Sequence, residues 1–178
     1  MRKLSNDELN RLSPQEYKQA EKTPVVIVLD NIRSMMNIGS VFRTSDAFRI
    51  HSVLLCGITA CPPNKEIHKT ALGATESVDW RYYENTIDAV QELAQQGFEI
   101  YSIEQAENSI MLNDFMPSPD KKYALVFGNE IQGVGQDVVN LSHGCIEIPQ
   151  IGTKHSLNIS VAAGVVIWDV VSKLGLFN

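Results

Sequence analysis

Val25-Val26-Ile27-Val28-Leu29-Asp30-Asn31 is a run of five apolar residues closed by two short polar ones. A strand with one wet face would alternate, so an unbroken run rich in β-branched residues predicts a strand buried on both faces. The pattern repeats outward from it. Ile38, Val41, Phe42, Ser45 and Phe48 fall on one face of a helix over residues 38–48, and Ser52-Val53-Leu54-Leu55-Cys56 reads as a second strand. Asn85 or Thr86 caps a helix with Ile87, Val90, Leu93 and Ala94 inward, and Gly97 stands where a C-terminal glycine belongs. Phe98–Ile103 alternates into another strand, and Tyr123–Phe127 is a central strand delivering Gly128-Asn129-Glu130. Alternating strands and helices predict an α/β fold, a mostly parallel sheet with helices on both faces. Ligands of such sheets bind beyond the carboxyl ends of the strands, the edge at which the loops after residues 29, 103, 127 and 149 leave.

The second informative stretch is Ile146-Glu147-Ile148-Pro149, a polar loop with Gly152, then Ser156-Leu157-Asn158-Ile159-Ser160-Val161-Ala162-Ala163-Gly164. Ser156 is expected to cap a helix whose residues 161–171 hold a single charge, Asp169, so that most of its sides should be buried. Small residues at 162–164 would let another backbone approach. Asn158, an amide at the mouth of an apolar helix, reads either as a satisfied core amide or as a site residue.

The chain has 178 residues, 44% of them hydrophobic, which suits one domain with a full core. Residues 1–23 read as a short helical appendage, with Ser5-x-x-Glu8 and Ser13-Pro14-Gln15-Glu16 as capping boxes and Leu9, Leu12 and Tyr17 as anchors; residues 24–178 form the main domain. A formal charge of −6 argues against a purely electrostatic nucleic-acid binder but leaves room for a local basic patch. Three cysteines without CxxC spacing, Cys56, Cys61 and Cys145, read as buried free thiols rather than a metal site. No apolar run has membrane-spanning length and the first residues lack a signal-peptide core, so a cytoplasmic protein without a membrane partner is expected.

The loops exclude several chemistries. The turn after the first strand has no GxGxxG, and Gly128-x-x-x-x-Gly133 is followed by Val134 instead of Lys-Ser, so no phosphate loop is expected. No nucleophile–base–acid triad or metal cluster assembles, and His68 and His155 read as loop or surface residues. Asn37 reads as a helix cap or a site residue, and Glu130 as a salt-bridge partner or a site residue. Arg43 shares a helix face with Gly39 and Ala47, whose small size would leave room for a ligand above the guanidinium, and arginine suits phosphate through its bidentate fork.

Three segments together resemble the SpoU (TrmH-like) branch of the SPOUT RNA 2′-O-ribose methyltransferases. They are Asn31-x-Arg33-x-x-x-Asn37-x-Gly39-x-x-x-Arg43-x-x-x-Ala47; Leu125-Val126-Phe127-Gly128-Asn129-Glu130-x-x-Gly133; and Ile146-x-Ile148-Pro149, then Gly152, then Ser156-Leu157-Asn158-x-Ser160-Val161-Ala162. In order, they cover residues 25–175. The resemblance implies a C-terminal deep trefoil knot and S-adenosylmethionine as cofactor. It implies cofactor contacts from Ile103, Glu104, Gly128, Glu130, Ile148, Ser156, Leu157 and Asn158, and a catalytic group of Arg43, Asn37, Glu130, Ser156 and Asn158. It also implies a homodimer with the site at its interface and an RNA substrate. Transfer RNA is expected over ribosomal RNA, because the chain ends soon after the last helix without an RNA-binding extension. A non-catalytic RNA-binding member of the fold is the rival reading; a flavodoxin-like oxidoreductase is disfavoured by the missing phosphate loop.

Overall fold

The computed structural model describes residues 1–177, the side chain of Asn6 excepted. A 3-10 turn (Asn6–Leu9) and helix α1 (Pro14–Gln19) come first, each behind a serine capping box. Of the three expected anchors only Tyr17 is buried and joins the core; Leu9 and Leu12 stay exposed.

Strand β1 (Thr23–Asp30) leads to α2 (Met35–Ala47), β2 (Ile50–Cys56), the short helices α3 (Lys65–Ala71) and α4 (Ala74–Ser77), and β3 (Trp80–Tyr83). Then follow α5 (Thr86–Gln95), β4 (Phe98–Ile103), β5 (Ile110–Met111), β6 (Lys122–Phe127), α6 (Gln136–Leu141), β7 (Gly144–Glu147) and α7 (Ile159–Lys173). The seven strands form one sheet, ordered β3-β2-β1-β6-β4-β7-β5, and every named pair is parallel. Parallel strands need crossovers, and the helices cover both faces. The apolar run of β1 splits accordingly. Val25, Ile27 and Leu29 pack under α2 and α7, while Val26 and Val28 pack under α5 and α6. The β1–β6 pair is the point where the order reverses, since β1 feeds outward to β2 and β6 feeds the other way to β7.

Two helix boundaries and one packing position differ from the sequence reading. The N-cap of α2 is Ser34, whose Oγ accepts the Asn37 N–H at 3.3 Å, so Asn37 lies inside the first turn. The α7 helix opens at Ile159 with Asn158 as its cap, Asn158 Oδ1 accepting from Ser160 N at 2.9 Å; Ser156 is exposed in the preceding loop and caps nothing. Asparagine caps as well as serine does, and here it stands directly before the apolar repeat. Finally, Gly39 is not ligand space. A Cβ there would intrude on Thr70 Oγ1 and the Ile67 carbonyl, so the glycine lets α3 close onto α2.

The α7 helix is two-faced rather than buried on most sides. Ala163, Val166, Ile167 and Val170 are buried in the core, whereas Val161, Val165 and Trp168, at helical spacing on the opposite face, are 40–56% exposed. Among the described residues no helix is long and apolar enough to cross a membrane, and no cluster of three His, Cys, Asp or Glu side chains could hold a metal ion. Cys56 and Cys145 are buried and Cys61 is half-buried, all as free thiols. Burial pushes the Cys56 thiol up to about 12, so it stays protonated and unreactive.

Candidate active site

The carboxyl ends of β4, β6 and β7 open into a cleft of about 950 Å³. Its walls include Ile103 and Glu104 after β4, Gly128 and Glu130 after β6, Ile148 after β7, and Ser156, Leu157 and Asn158 before α7. All eight residues named from sequence as cofactor contacts therefore border one space. Its acidic residues are Glu104, Glu107, Glu130 and Glu147, and among the described residues no lysine or arginine borders it. Such a lining repels phosphate and suits a ligand carrying positive charge. The size is right for a nucleoside-sized molecule.

The loop after β6 is pinched shut at its base. Asn129 N donates to Gly133 O at 3.0 Å and Gly133 N returns a bond to Asn129 O at 2.9 Å. The turn brings Gly133 and Val134 so close to Gly128 that a Cβ on Gly128 would overlap both, and Gly133 itself has φ +70°. The spacing of these two glycines thus serves a backbone turn, not a phosphate cradle. Glu104 borders the cleft, but its carboxylate is turned into this loop, with Oε2 accepting the Val134 N–H at 3.1 Å.

Glu130, at the tip of the turn, reaches across to the loop after β1. Its carboxylate accepts the backbone N–H groups of Arg33 (3.2 Å) and Ser34 (3.1 Å) and the side-chain amide of Asn37 (3.5 Å). Asn37 Oδ1 in turn accepts from Asn158 Nδ2 at 3.3 Å, while Asn158 Oδ1 takes Ser160 Oγ at 2.7 Å besides its backbone cap. A line of polar contacts, Glu130 to Asn37 to Asn158, thereby joins three distant segments at the rim of the cleft. Partial burial pushes the Glu130 carboxyl up, but bonds from its own backbone N–H, Arg33, Ser34 and Asn37 outweigh it and hold the group below its usual range.

The structure does not bring all the named residues to the cleft. Arg43 is exposed, and neither Arg43 nor Asn37 is among the cleft residues; Asn37 reaches the rim through its bonds to Glu130 and Asn158. Ser156 borders the cleft without a side-chain partner among the described residues.

Residues 24–168 match the SpoU rRNA Methylase family. The chain belongs to that family.

One relative of this SpoU chain is an "Uncharacterized tRNA/rRNA methyltransferase" of Borreliella burgdorferi, 31% identical over 163 residues that make up 90% of this chain and 68% of the relative. The structure is similar to the AdoMet-bound rRNA methyltransferase of Sinorhizobium meliloti (25% identical, TM-score 0.77), covering 89% of this chain but only 60% of that one. It also shares the fold of the A. aeolicus TrmH/SpoU tRNA modifying enzyme (23% identical, TM-score 0.79), with 92% of this chain and 81% of that one covered.

Several residues that shape the SpoU site were not singled out from the sequence. Asn129 Nδ2 donates to Asn31 O at 2.7 Å and Asn129 Oδ1 accepts from Ile131 N and Gln132 N, fastening the pinched loop to the β1 loop. Buried Asp30 takes Thr86 Oγ1 (2.5 Å), Asn31 Nδ2 (2.8 Å) and Gly135 N (3.0 Å). Asn31 and Asn129 stood in the family segments without an assigned role, and Asp30 showed only as part of a polar pair closing an apolar strand. Their partners lie as far as 105 residues away, so no local pattern could reveal them.

Folding lowers the Glu130 pKa from its usual 4.5, so its ionised form stabilises the fold at neutral pH. That contribution is present above the usual value and is lost as the pH falls through the lowered one. Glu130→Gln is expected to lower the urea midpoint at about pH 7, with the gap to the unsubstituted protein narrowing by about pH 3. A gap of constant size over that range would show that the charge contributes nothing.

Proposed function

We propose that this SpoU chain transfers a methyl group from S-adenosylmethionine to a ribose 2′-hydroxyl of RNA, with transfer RNA the favoured acceptor and ribosomal RNA the alternative. The observation that carries this reading is the convergence of the three family segments on one rim, through Glu130, Asn37 and Asn158, beside a cleft whose lysine, arginine, aspartate and glutamate lining, among the described residues, is glutamate alone. A sulfonium and an ammonium group suit that lining, and the residues that would hold the cofactor are Ile103, Glu104, Gly128, Ile148, Ser156 and Leu157. When bound, the cofactor supplies the electrophilic methyl group. The protein's task is then to hold the ribose in line and to accept its proton.

Arg43 is assigned the RNA side of the reaction. Its guanidinium grips a substrate phosphate through a bidentate fork. An arginine is a poor base by itself because it normally keeps its proton. The arginine–phosphate pair is therefore the proposed acceptor of the 2′-hydroxyl proton as the oxygen–methyl bond forms. Glu130 and Asn37 hold the α2 N-terminus against the cleft, and Asn158 fixes the start of α7. Ser156, which borders the cleft, is the proposed contact to the ligand from the loop before α7.

Arg43 is exposed and does not line the cleft of its own chain, which supports a homodimer in which a second copy supplies its Arg43. The exposed stripe of Val161, Val165 and Trp168 on α7, with Leu157 just before it, offers the apolar face that such pairing needs. The trefoil knot is proposed on a related observation. The segment between β4 and β6 touches the C-terminal chain at both ends of its path, Gln105 Nε2 donating to His155 O at 2.9 Å and Lys173 Nζ to Leu112 O at 2.6 Å. Such a clasp is what a chain threaded through that segment would produce.

In a methyl-transfer assay on bulk transfer RNA, Arg43→Ala and Arg43→Lys are both expected to cut turnover by roughly a hundredfold or more while calorimetry still detects cofactor binding. Near-normal turnover in both variants would sink the catalytic role, and an unsubstituted protein that fails to bind S-adenosylmethionine would favour a non-catalytic member of the fold. Mass spectrometry of the methylated product decides between transfer and ribosomal RNA. Sedimentation should show a dimer that Trp168→Asp dissociates; a monomeric unsubstituted protein would end the dimer proposal. Pulled by its ends in an optical trap, the knotted chain should stop short of the roughly 60 nm that 178 extended residues would span. Reaching the full length would exclude the knot.

A further inference from the structure

Helix α3 has no part in the reaction proposed above, yet its two faces differ sharply. Ile67, Thr70 and Ala71 pack toward α2, where Gly39 admits them. Lys65, His68 and Lys69, spaced i, i+3 and i+4, share the opposite face and are all exposed. Thr70 Oγ1 donates to Met36 O at 2.9 Å, one residue before Asn37, and further along Ser77 Oγ donates to the Asp46 carboxylate near the end of α2. The chain therefore runs beside α2 from its first turn to its last. Ile67 and Thr70 both meet the first turns of α2, so Lys69, next to Thr70, sits beside the end of α2 that carries Asn37.

Charge separates this surface from the rest of the protein. The whole chain is formally −6, yet residues 31–72 hold five lysines and arginines against two acids. Both acids are engaged, Asp46 by Ser77 and Glu66 by Lys69 at 2.7 Å. Among the described residues Lys65, Arg33 and Arg43 form no ion pair. A basic strip on an acidic protein steers a polyanion to one place, because the remaining surface repels it. A protein partner would look for an apolar centre, and the exposed face of α3 ends in one exposed leucine, Leu72.

We infer that the solvent face of α3 is an RNA-backbone clamp, in which Lys65 and Lys69 hold phosphates flanking the nucleotide that is methylated. This inference rests on the RNA-methyltransferase reading. Lysines here act as mobile point charges that set the position of the strand without reading its bases. The clamp would hold the backbone beside the first turn of α2, so that the acceptor ribose is presented to the cleft rim at Asn37.

The test is the double variant Lys65→Ala/Lys69→Ala in the full chain, with transfer RNA as the probe. The lost Lys69–Glu66 pair is exposed and contributes little to stability. The expected result is a roughly tenfold rise in KM for RNA and a fall of about 1 to 2 in the slope of log affinity against log salt. Turnover at saturating RNA and affinity for S-adenosylmethionine should not change, and Lys65→Arg/Lys69→Arg should restore binding. An unsubstituted protein that methylates RNA, with a double variant of unchanged KM and salt slope, overturns the clamp alone. A double variant that changes cofactor affinity or oligomeric state also overturns it, by showing a structural role. An unsubstituted protein that neither binds nor methylates RNA defeats the RNA reading itself, and the clamp with it.

Discussion

A single carboxylate, that of Glu130, ties the loop after β6 to the loop after β1 by accepting two backbone N–H groups and the Asn37 amide. The contact spans 93 residues of sequence to Asn37, and Asn37 spans another 121 to Asn158. Remove the carboxylate and three orphaned donors remain at the start of α2, each needing a new partner. The geometry upstream exists to deliver it. The glycines at 128 and 133 let the loop fold back on itself, Asn129 bonds it to Asn31, and Glu104 and Asp30 take the N–H groups of Val134 and Gly135. A flexible turn would place Glu130 anywhere; a turn held from three sides places it at the rim.

The site also divides its charge. Carboxylates line the cleft, and the cations Arg33, Arg43 and Lys65 stand outside it on α2, α3 and the loop before α2. An acidic pocket next to a basic ridge can take a cationic small molecule and a polyanion at the same time without either displacing the other. This arrangement reconciles a net charge of −6 with the proposed RNA substrate. Overall charge speaks for the average surface, while a bound strand meets only a local one.

The α7 helix links the fold to the proposed assembly. Its inner face closes the core over β1 and β6, and its outer face leaves Val161, Val165 and Trp168 in solvent in a single chain. An exposed apolar stripe of this kind is unusual on a monomer. It lies on the same side of the sheet as α2, the helix that carries Arg43 on its outer surface. One geometric fact, that α2 and α7 pack side by side, therefore sets both the cap-to-amide contact at the rim and the surface offered to a second copy.

Much of this was legible in the amino-acid sequence. The β1 run announced a strand buried on both faces, the alternation of elements announced a parallel sheet, and the second and third segments, with the end of β4, named residues that border one cleft. These features are local, because periodicity and capping act over a few residues. The sequence misled in two ways, once over a local choice of cap and once where a partner came from far away. Ser156 looked like the cap of α7 until Asn158 took that place, and Gly39 looked like room for a ligand until α3 filled it. Nor could an apolar helix declare which of its sides would be covered, since that depends on where α2 and the sheet end up. The sequence alone determined the elements, their order and the cast of polar residues at the strand ends. Only the tertiary structure decided which of those residues meet, because their hydrogen bonds close loops of about a hundred residues whose ends are brought together by the packing of the sheet and not by any neighbour in the chain.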